Sequence, residues 1–410
     1  MWAQGYKFNW HNKSWQKTGV LFLEVKPEKA SIYINNKSYA EKTSARIKNL
    51  LPGKYNVKVE KEGYITWDKD LTIYPNTTTF AQYIRLFKND PPTIKLTEQK
   101  IVLFSENENN TIALVTEDNF IYIFNIEKQS FDKISFIDFK PKKIFLSQNT
   151  NKILLQTDND WQLVDIITKK ITSIKLNISQ PVFDNNNTNI LYVLSDRGIE
   201  KINLATLETT TILEADIINF YIKNNDLYYL NKKENNIELI LTNLNSLQLK
   251  ETVGQLPISQ DYTFYPAPDN LLNLTDNKNN ILYIFDPDTK IFPEKQTIIS
   301  EVKYLSWHEN GSLLFINDYE IWTYQKHDGQ YIKNLITRLS SKINHALWFT
   351  YDTHLIYLTD SGLYITEVVT SDNKIVKYEK IKTGQMAYLT KNGEKIILLT
   401  NDLIYKSDLQ

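Results

Sequence analysis

The chain has 410 residues, of which 42% are hydrophobic and 12% aromatic, enough for packed cores in one large or several ordinary domains. Its 47 Lys and Arg residues nearly balance 48 Asp and Glu residues, giving a net charge of -1. The chain thus has no large basic excess of the kind that condenses on phosphate, which argues against nucleic acid as a partner. The absence of cysteine excludes disulfides, thiolate catalysis and zinc–thiolate sites.

Residues 1–17 form a segment rich in aromatic and basic side chains. They are Trp2, Tyr6, Lys7, Phe8, Trp10, Lys13, Trp15 and Lys17. Large amphipathic rings suit the membrane–water interface, and packing on the following domain is the alternative interpretation. No window approaches the roughly 20 apolar residues of a membrane-spanning helix. We therefore expect membrane attachment through a segment upstream of Met1 or through the aromatic residues 2–15.

The pattern of residues 18–87 predicts a small β-domain. Short alternating runs such as Ala30–Ile34 and Lys54–Glu60 predict about six strands, with a turn roughly every ten residues. This pattern indicates a β-sandwich. The polar stretch 88–92, which contains Pro91 and Pro92, follows as a linker.

The same segment carries an ordered set of motifs. They are Pro27-Glu28-Lys29-Ala30, Leu51-Pro52-Gly53-Lys54-Tyr55 and Lys61-Glu62-Gly63-Tyr64, with Trp67 close behind. In these motifs residues 18–87 resemble the PEGA domain, with Lys29 where that family usually has Gly. The resemblance implies a surface-associated sandwich of bacterial and archaeal envelope proteins, often tethered by an N-terminal membrane helix. It implies no catalytic residues.

Residues 93–410 repeat one unit eight times: a strand, a short polar turn and a second strand, as in Leu355–Ile365. The turns fall at Asp118, Asp158, Asp196, Lys232, Asp276, Asp318, Asp360 and Asn401, spaced 36 to 44 residues apart. A period near 40 with four short strands per repeat is typical of a β-propeller. Turns such as Trp307–Leu313 resemble those of TolB-like and WD40-like propellers. Eight blades are favoured, and seven stay open because the repeat at Lys232 is the least regular.

The strand that precedes each hairpin is predicted to be the innermost strand of its blade. The last repeat ends at Gln410 before an outer strand is complete, whereas Thr93–Leu96 stands ahead of the first repeat without a partner. We therefore predict that Thr93–Leu96 completes the last blade, since circular closure removes an open sheet edge. The predicted fold is all-β, a PEGA-like sandwich followed by a β-propeller.

Two sets of side chains are candidates for a binding site. The first is the set of turn aspartates, which a propeller gathers on one face, where they could meet Ca²⁺, a cation or a carbohydrate. They are Asp118, Asp158, Asp196, Asp276, Asp318 and Asp360. The competing interpretation, which we favour, is turn chemistry, because Asp caps its own backbone.

The second set consists of aromatic residues on the innermost strands, which could line the mouth of the central channel and stack on sugar rings. They are Tyr265, Tyr304, Trp307 and Trp348. Packing between blades is the more frequent role of such residues. The five histidines have no metal-ligand spacing, and no catalytic motif occurs.

The sequence thus predicts a non-enzymatic, extracytoplasmic cell-envelope protein that presents a propeller to an envelope protein or surface glycan. We expect a monomer, with no cofactor, metal or nucleic-acid partner. The alternatives are a polysaccharide-active hydrolase or lyase with carboxylates on the propeller loop face, and a periplasmic scaffold of an envelope assembly.

Overall fold

A computed structural model describes residues 5–40, 45–158, 160–175, 178–287, 296–327, 330–349, 353–368, 375–378, 384–400 and 402–410. In these residues every regular element is a β-strand. None of the described residues belongs to a helix with the length and hydropathy of a membrane span. Trp2 and the predicted turn residue Asn401 lie outside the described residues.

The aromatic N-terminal segment is a two-stranded hairpin of β1 (Tyr6–Asn9) and β2 (Ser14–Lys17). Phe8 lies opposite Trp15, and the Phe8 ring contacts both Trp10 and Trp15, at centroid distances of 4.9 and 5.5 Å. Trp10 is nevertheless 83% exposed and Trp15 48% exposed. The hairpin thus presents tryptophan to solvent instead of burying it against the next domain.

The small domain consists of a three-stranded sheet, β6-β3-β9, and a four-stranded sheet, β5-β4-β7-β8. Their strands are β3 (Gly19–Lys26), β4 (Ser31–Ile34), β5 (Lys37–Ala40), β6 (Ala45–Leu50), β7 (Gly53–Glu60), β8 (Trp67–Ile73) and β9 (Thr78–Arg85). Alternate residues of β3, including Leu21 and Leu23, are fully buried, as a strand with one face on a core requires. At the motif position where Gly is usual, Lys29 has a φ of 65°, in the left-handed region that Gly adopts most readily.

The described residues after Pro92 form eight four-stranded antiparallel sheets. Seven of them follow chain order, and the eighth combines the first strand of the region with its last three strands. The strands are β10 (Thr93–Lys95), β11 (Ile101–Asn107), β12 (Thr111–Thr116), β13 (Phe120–Asn125), β14 (Ser130–Phe136), β15 (Lys143–Leu146), β16 (Lys152–Gln156), β17 (Trp161–Asp165), β18 (Ile171–Ile174), β19 (Ser179–Phe183), β20 (Ile190–Ser195), β21 (Gly198–Asn203), β22 (Thr209–Glu214), β23 (Ile217–Lys223), β24 (Asp226–Lys232), β25 (Ile237–Asn243), β26 (Ser246–Leu256), β27 (Tyr262–Tyr265), β28 (Leu272–Asp276), β29 (Ile281–Phe285), β30 (Gln296–Ile299), β31 (Tyr304–Trp307), β32 (Leu313–Ile316), β33 (Glu320–His327), β34 (Gln330–Arg338), β35 (Ile343–Trp348), β36 (His354–Thr359), β37 (Gly362–Glu367), β38 (Ile375–Tyr378), β39 (Met386–Leu389), β40 (Lys395–Leu399) and β41 (Ile404–Asp408).

Hydrophobic clusters join each of these sheets to the next and the last to the first. One cluster joins β11–β14 to β15–β18, and another joins β35–β38 to β39–β41. A further cluster packs Ile397 and Ile404 of the last sheet against Ile112 and Phe124 of the first. The sheets therefore close into a ring, the arrangement of a β-propeller.

The predicted closure of the ring is confirmed. Thr93 pairs with Ser407 and Lys95 with Tyr405, so β10 becomes the outer strand of the last sheet. Because β10 lies at the start of the region and β41 at its end, this pairing joins the two ends of the ring. It also covers an edge of β41 that would otherwise present unpaired backbone groups.

The small domain is attached to the sheet of β35–β38. The indole nitrogen of Trp67 donates to Glu367 at 2.7 Å, and the Lys69 ammonium forms an ion pair with the same carboxylate. The Lys69 and Glu367 side chains are only 10% and 12% exposed. Nearby, the Phe87 ring packs edge-on against Phe349, with centroids 5.5 Å apart. A buried charge cluster and an aromatic contact thus hold the two parts together.

Candidate functional site at the mouth of the ring

The first strand of each four-stranded sheet lies next to the first strand of the neighbouring sheet. The backbone amide of Leu146 donates to the Ser105 hydroxyl at 3.2 Å, and the Trp348 indole donates to the Ser306 carbonyl at 3.2 Å. Similarly, the Asn219 amide donates to the Tyr262 carbonyl at 2.6 Å. These strands are therefore the innermost strands, as predicted. A cavity of about 660 Å³ opens where six of them end, and we call it the mouth.

The mouth is lined by apolar rings and prolines. These residues are Phe145, Phe183, Tyr221, Tyr265, Trp307, Pro181, Pro266 and Pro268. Tyr221 stacks on Phe264 with centroids 5.6 Å apart and an interplanar angle of 14°. Burial raises the pKa of Tyr221 to about 12, so its phenol is neutral at physiological pH. Aromatic rings and prolines thus form one part of the lining, beside polar side chains such as Gln148 and Asn185.

Three charged residues also line the mouth: Glu108, Lys223 and Glu309. The Lys223 ammonium donates to the carbonyls of Ala267 at 3.0 Å and Leu271 at 3.3 Å, and also to that of Asp269. Burial lowers the pKa of Lys223. Its three donors are thus used within the protein, which leaves Lys223 poorly placed to bind an external anion.

The predicted channel aromatics are divided by the structure. Tyr265 and Trp307 are half-buried and line the mouth. Trp348 is buried against the neighbouring innermost strand, and Tyr304 lies at the opposite end of β31 from Trp307. The structure therefore brings two of the four side chains together at the mouth.

Tyr304 belongs to a polar group deeper inside the ring. Its ring lies 4.4 Å from that of His345, and the Tyr388 hydroxyl donates to the Met386 sulfur at 3.5 Å. Burial, reinforced by the negative charge of Glu106, raises the pKa of Tyr304 and of Tyr388. His345 is 4% exposed, and neither of its ring nitrogens has a hydrogen-bond partner among the described residues.

The six predicted aspartates lie at the other end of the sheets from the mouth. In the sheet of β31–β34, for example, Tyr304 pairs with Ile316 beside the Asp318 turn, whereas Trp307 pairs with Leu313 beside the mouth. The same strand order repeats around the ring. The aspartates therefore occupy turns on one face, and the mouth opens on the opposite face.

Most of these aspartates make local contacts. Asp118 accepts a hydrogen bond from Thr116 at 2.6 Å, Asp158 pairs with Lys142, and Asp360 accepts from Asn344 at 2.9 Å. Asp196 is exposed. Asp276 is buried and accepts from Ser259 at 3.1 Å and from the Asn279 amide at 2.7 Å. The Thr116 and Asn279 contacts lie within turns, whereas Lys142, Asn344 and Ser259 are outside the turns that contain these aspartates.

Asp318 lines a second cavity, of about 700 Å³, between the turns of two neighbouring sheets. The charges in this groove are paired with one another: Lys303 with Asp318, and Arg338 with Glu320. Among the described residues, no group of three or more His, Asp or Glu side chains is arranged to hold a metal ion. Glu301 also lines the groove and accepts a hydrogen bond from the Asn317 side chain at 3.4 Å, so four of the five charges of the groove are in ion pairs.

Sequence reasoning missed Glu108, Lys223 and Glu309. Each stands at or just after the end of a first strand, at the position that places Trp307 at the mouth. These residues could have been found from their position at the end of the innermost strand of each repeat. That position predicts a place at the mouth once the direction of the strand is known. The turn aspartates were more conspicuous because they recur in six of the eight repeats.

The fold defines an all-β protein in which a small sandwich precedes a β-propeller. The PEGA domain family model matches residues 18–86 of the chain. The comparison with curated proteins found no match.

Several solved structures are similar to the chain. The Dos1 propeller is 12% identical, with 78% of this chain and 94% of that chain covered and a TM-score of 0.48. Dipeptidyl peptidase 4 of Porphyromonas gingivalis is 12% identical, with 74% and 56% covered and a TM-score of 0.48. Hsv2 of Kluyvelomyces marxianus is 11% identical, with 70% and 99% covered and a TM-score of 0.46.

Proposed function

We propose that the protein is a non-catalytic binding protein whose mouth receives a segment of a partner protein. The observation that carries this proposal is the cavity of about 660 Å³ lined by aromatic and proline side chains. Concave, mostly apolar sites with a few polar groups are typical binding sites. A protein segment supplies both the apolar side chains and the charges that such a lining can contact.

Trp307 is expected to be the main anchor of this interaction, since tryptophan dominates many binding surfaces. The experiment selects peptides from a random phage-displayed library on the immobilised protein and measures the affinity of a selected peptide. We expect Trp307→Ala to raise Kd roughly 30-fold, corresponding to a loss of about 2 kcal/mol.

The matched control is Tyr319→Ala, which removes a 50% exposed aromatic ring from the opposite face. It should leave Kd unchanged. A glycan array is probed in parallel with both variants. If no selected peptide binds Trp307→Ala more weakly than the control, the proposal is refuted. If only glycans bind, the mouth is assigned to carbohydrate.

A second candidate function rests on the presence of two carboxylates, Glu108 and Glu309, in the same cavity. Glycoside hydrolysis generally uses two such groups, one as acid and one as base or nucleophile. This alternative predicts release of reducing ends from a polysaccharide, abolished in both Glu108→Gln and Glu309→Gln. Turnover that survives both substitutions would exclude these carboxylates as the catalytic pair.

We further propose that the protein works outside the cytoplasm, at a bacterial cell envelope, with its N-terminal hairpin against the membrane surface. Residues 5–17 contain Lys7, Lys13 and Lys17 but no acidic residue. Trp10 is 83% exposed beside this positive charge. Exposed tryptophan with neighbouring lysine matches the interface of a bilayer that contains anionic lipid.

The test of the hairpin is co-sedimentation with vesicles of phosphatidylcholine and phosphatidylglycerol. Replacing Trp10 and Trp15 with serine should weaken binding at least about tenfold, since burying a large apolar side chain contributes about 1.5–3 kcal/mol. Tyr74→Ser removes a 60% exposed ring of the small domain and serves as the control. Equal binding of all three proteins would contradict the assignment of the hairpin.

A further inference from the structure

Two carboxylates at the mouth are outside any ion pair among the described residues, although the Lys223 ammonium lies close enough to Glu108 to interact with it electrostatically. Neither the Glu108 nor the Glu309 carboxylate accepts a hydrogen bond or forms an ion pair among the described residues, and both residues are exposed. The one ammonium group that lines the cavity, that of Lys223, is already bound to three backbone carbonyls. The mouth is therefore a place where two carboxylates are available to a guest.

The groove beside Asp318 shows the contrast. Its volume, about 700 Å³, is similar, but Asp318 is paired with Lys303 and Glu320 with Arg338. A cationic guest that approached Asp318 or Glu320 would have to displace a cation that the protein itself supplies. At the mouth the Glu309 carboxylate is in no such ion pair among the described residues.

The rings of the mouth favour the same guest. Trp307, Tyr265 and Tyr221 line the cavity together with the two glutamates. The faces of aromatic rings attract ammonium and guanidinium groups, and tryptophan does so most strongly. The stems of Lys and Arg are apolar, so they can pack on proline and aromatic surfaces while the charged end reaches a carboxylate.

We propose that the mouth binds a lysine or arginine side chain of the partner segment, with Glu108 and Glu309 supplying the opposite charge and Trp307 the aromatic surface. This inference rests on the proposed function, because it names the side chain by which the partner would be recognised. Charge complementarity of this kind sets specificity and accelerates association more than it raises affinity.

The experiment uses the peptides selected on the intact protein. Their sequences should be enriched in Lys or Arg relative to the unselected library. Replacing the cationic residue of a selected peptide with norleucine or citrulline should raise Kd about tenfold. The same replacement should have little effect on the Glu108→Gln/Glu309→Gln double variant, because the coupling between the charges is already lost.

The control is Asp360→Asn, which removes an exposed carboxylate from the opposite face and should preserve the full effect of the peptide charge. If selected peptides bind in a Trp307-dependent manner but without Lys or Arg enrichment, the inference is wrong and the proposed function stands. If no peptide depends on Trp307, the proposed function itself fails. A charge effect that is undiminished in the double variant would place the cation elsewhere.

Discussion

Replacing Glu367 with glutamine is expected to lower the free energy of unfolding by about 3 kcal/mol and to loosen the small domain from the ring. The Glu367 carboxylate forms an ion pair with Lys69 and accepts the Trp67 indole proton at 2.7 Å. Glutamine keeps an acceptor for Trp67 but leaves the Lys69 ammonium, only 10% exposed, without this counter-charge. Removing one member of a buried ion pair is strongly destabilising.

The measurement is urea denaturation combined with limited proteolysis of the segment 88–92, which connects the two parts. The matched control is Glu98→Gln, which removes the partner of Lys95 in a surface pair whose glutamate is 86% exposed. Surface pairs contribute between 0 and about 1 kcal/mol, so the control should differ little from the unchanged protein. Equal effects of the two substitutions would show that the Glu367 cluster does not hold the domains together.

Lowering the pH from 7 to about 4 is expected to destabilise the protein through two buried histidines. Burial lowers the pKa of His345 and that of His354 to about 4. Glu367 opposes this effect at His354, whereas Arg85 and Lys69 reinforce it. Each histidine must give up its proton on folding, and each contributes roughly 3 kcal/mol at neutral pH relative to acid.

The sign follows from proton binding. Between pH 6.5 and about 4 the unfolded histidines hold protons that the folded ones do not, so stability falls as the pH decreases through this interval. The midpoints of urea denaturation measured at pH 7, 5.5 and 4 test this expectation. His345→Phe should preserve packing on Tyr304 and remove about half of the pH dependence, because His354 remains, and His308→Phe at a half-buried position is the control substitution. A pH dependence in His345→Phe as steep as that of the unchanged protein would assign it to groups other than His345.

Much of the fold could be predicted because its elements repeat. Each innermost strand pairs with the hairpin that follows it, as in Ile343–Trp348, so local alternation of apolar residues was sufficient. The closure by Thr93–Lys95 was also predictable, because a strand without a local partner and a last sheet without an outer strand complement each other. Both inferences rest on the alternation of apolar residues and on the pairing needs of strands, which can be recognised in the sequence.

The site was harder to predict because its residues are brought together only by the ring. Glu108 and Glu309 lie about two hundred residues apart and share no motif. The turn aspartates formed a visible pattern, yet Asp118 and Asp360 bond to neighbours within their own sheets. The aspartates recur because the turns recur, whereas the residues that line the mouth differ from one repeat to the next.

The N-terminal segment shows a third situation. Its composition left membrane contact and packing on the next domain as equal interpretations. The described hairpin leaves Trp10 exposed, an arrangement that depends on the β1–β2 turn and not on composition. Likewise, Lys29 was recognisable as a substitution of Gly, but its φ of 65° is a property of the folded turn.

The most direct test of the proposed function maps where a selected peptide lies. A photoreactive benzoylphenylalanine is introduced at Asn224, which lines the mouth, or at Lys278, an exposed position in a turn on the opposite face. Each protein is irradiated with the bound peptide, and the cross-linked product is identified by mass spectrometry. The account predicts a cross-link from position 224 and none from position 278, and a cross-link from position 278 alone would contradict it.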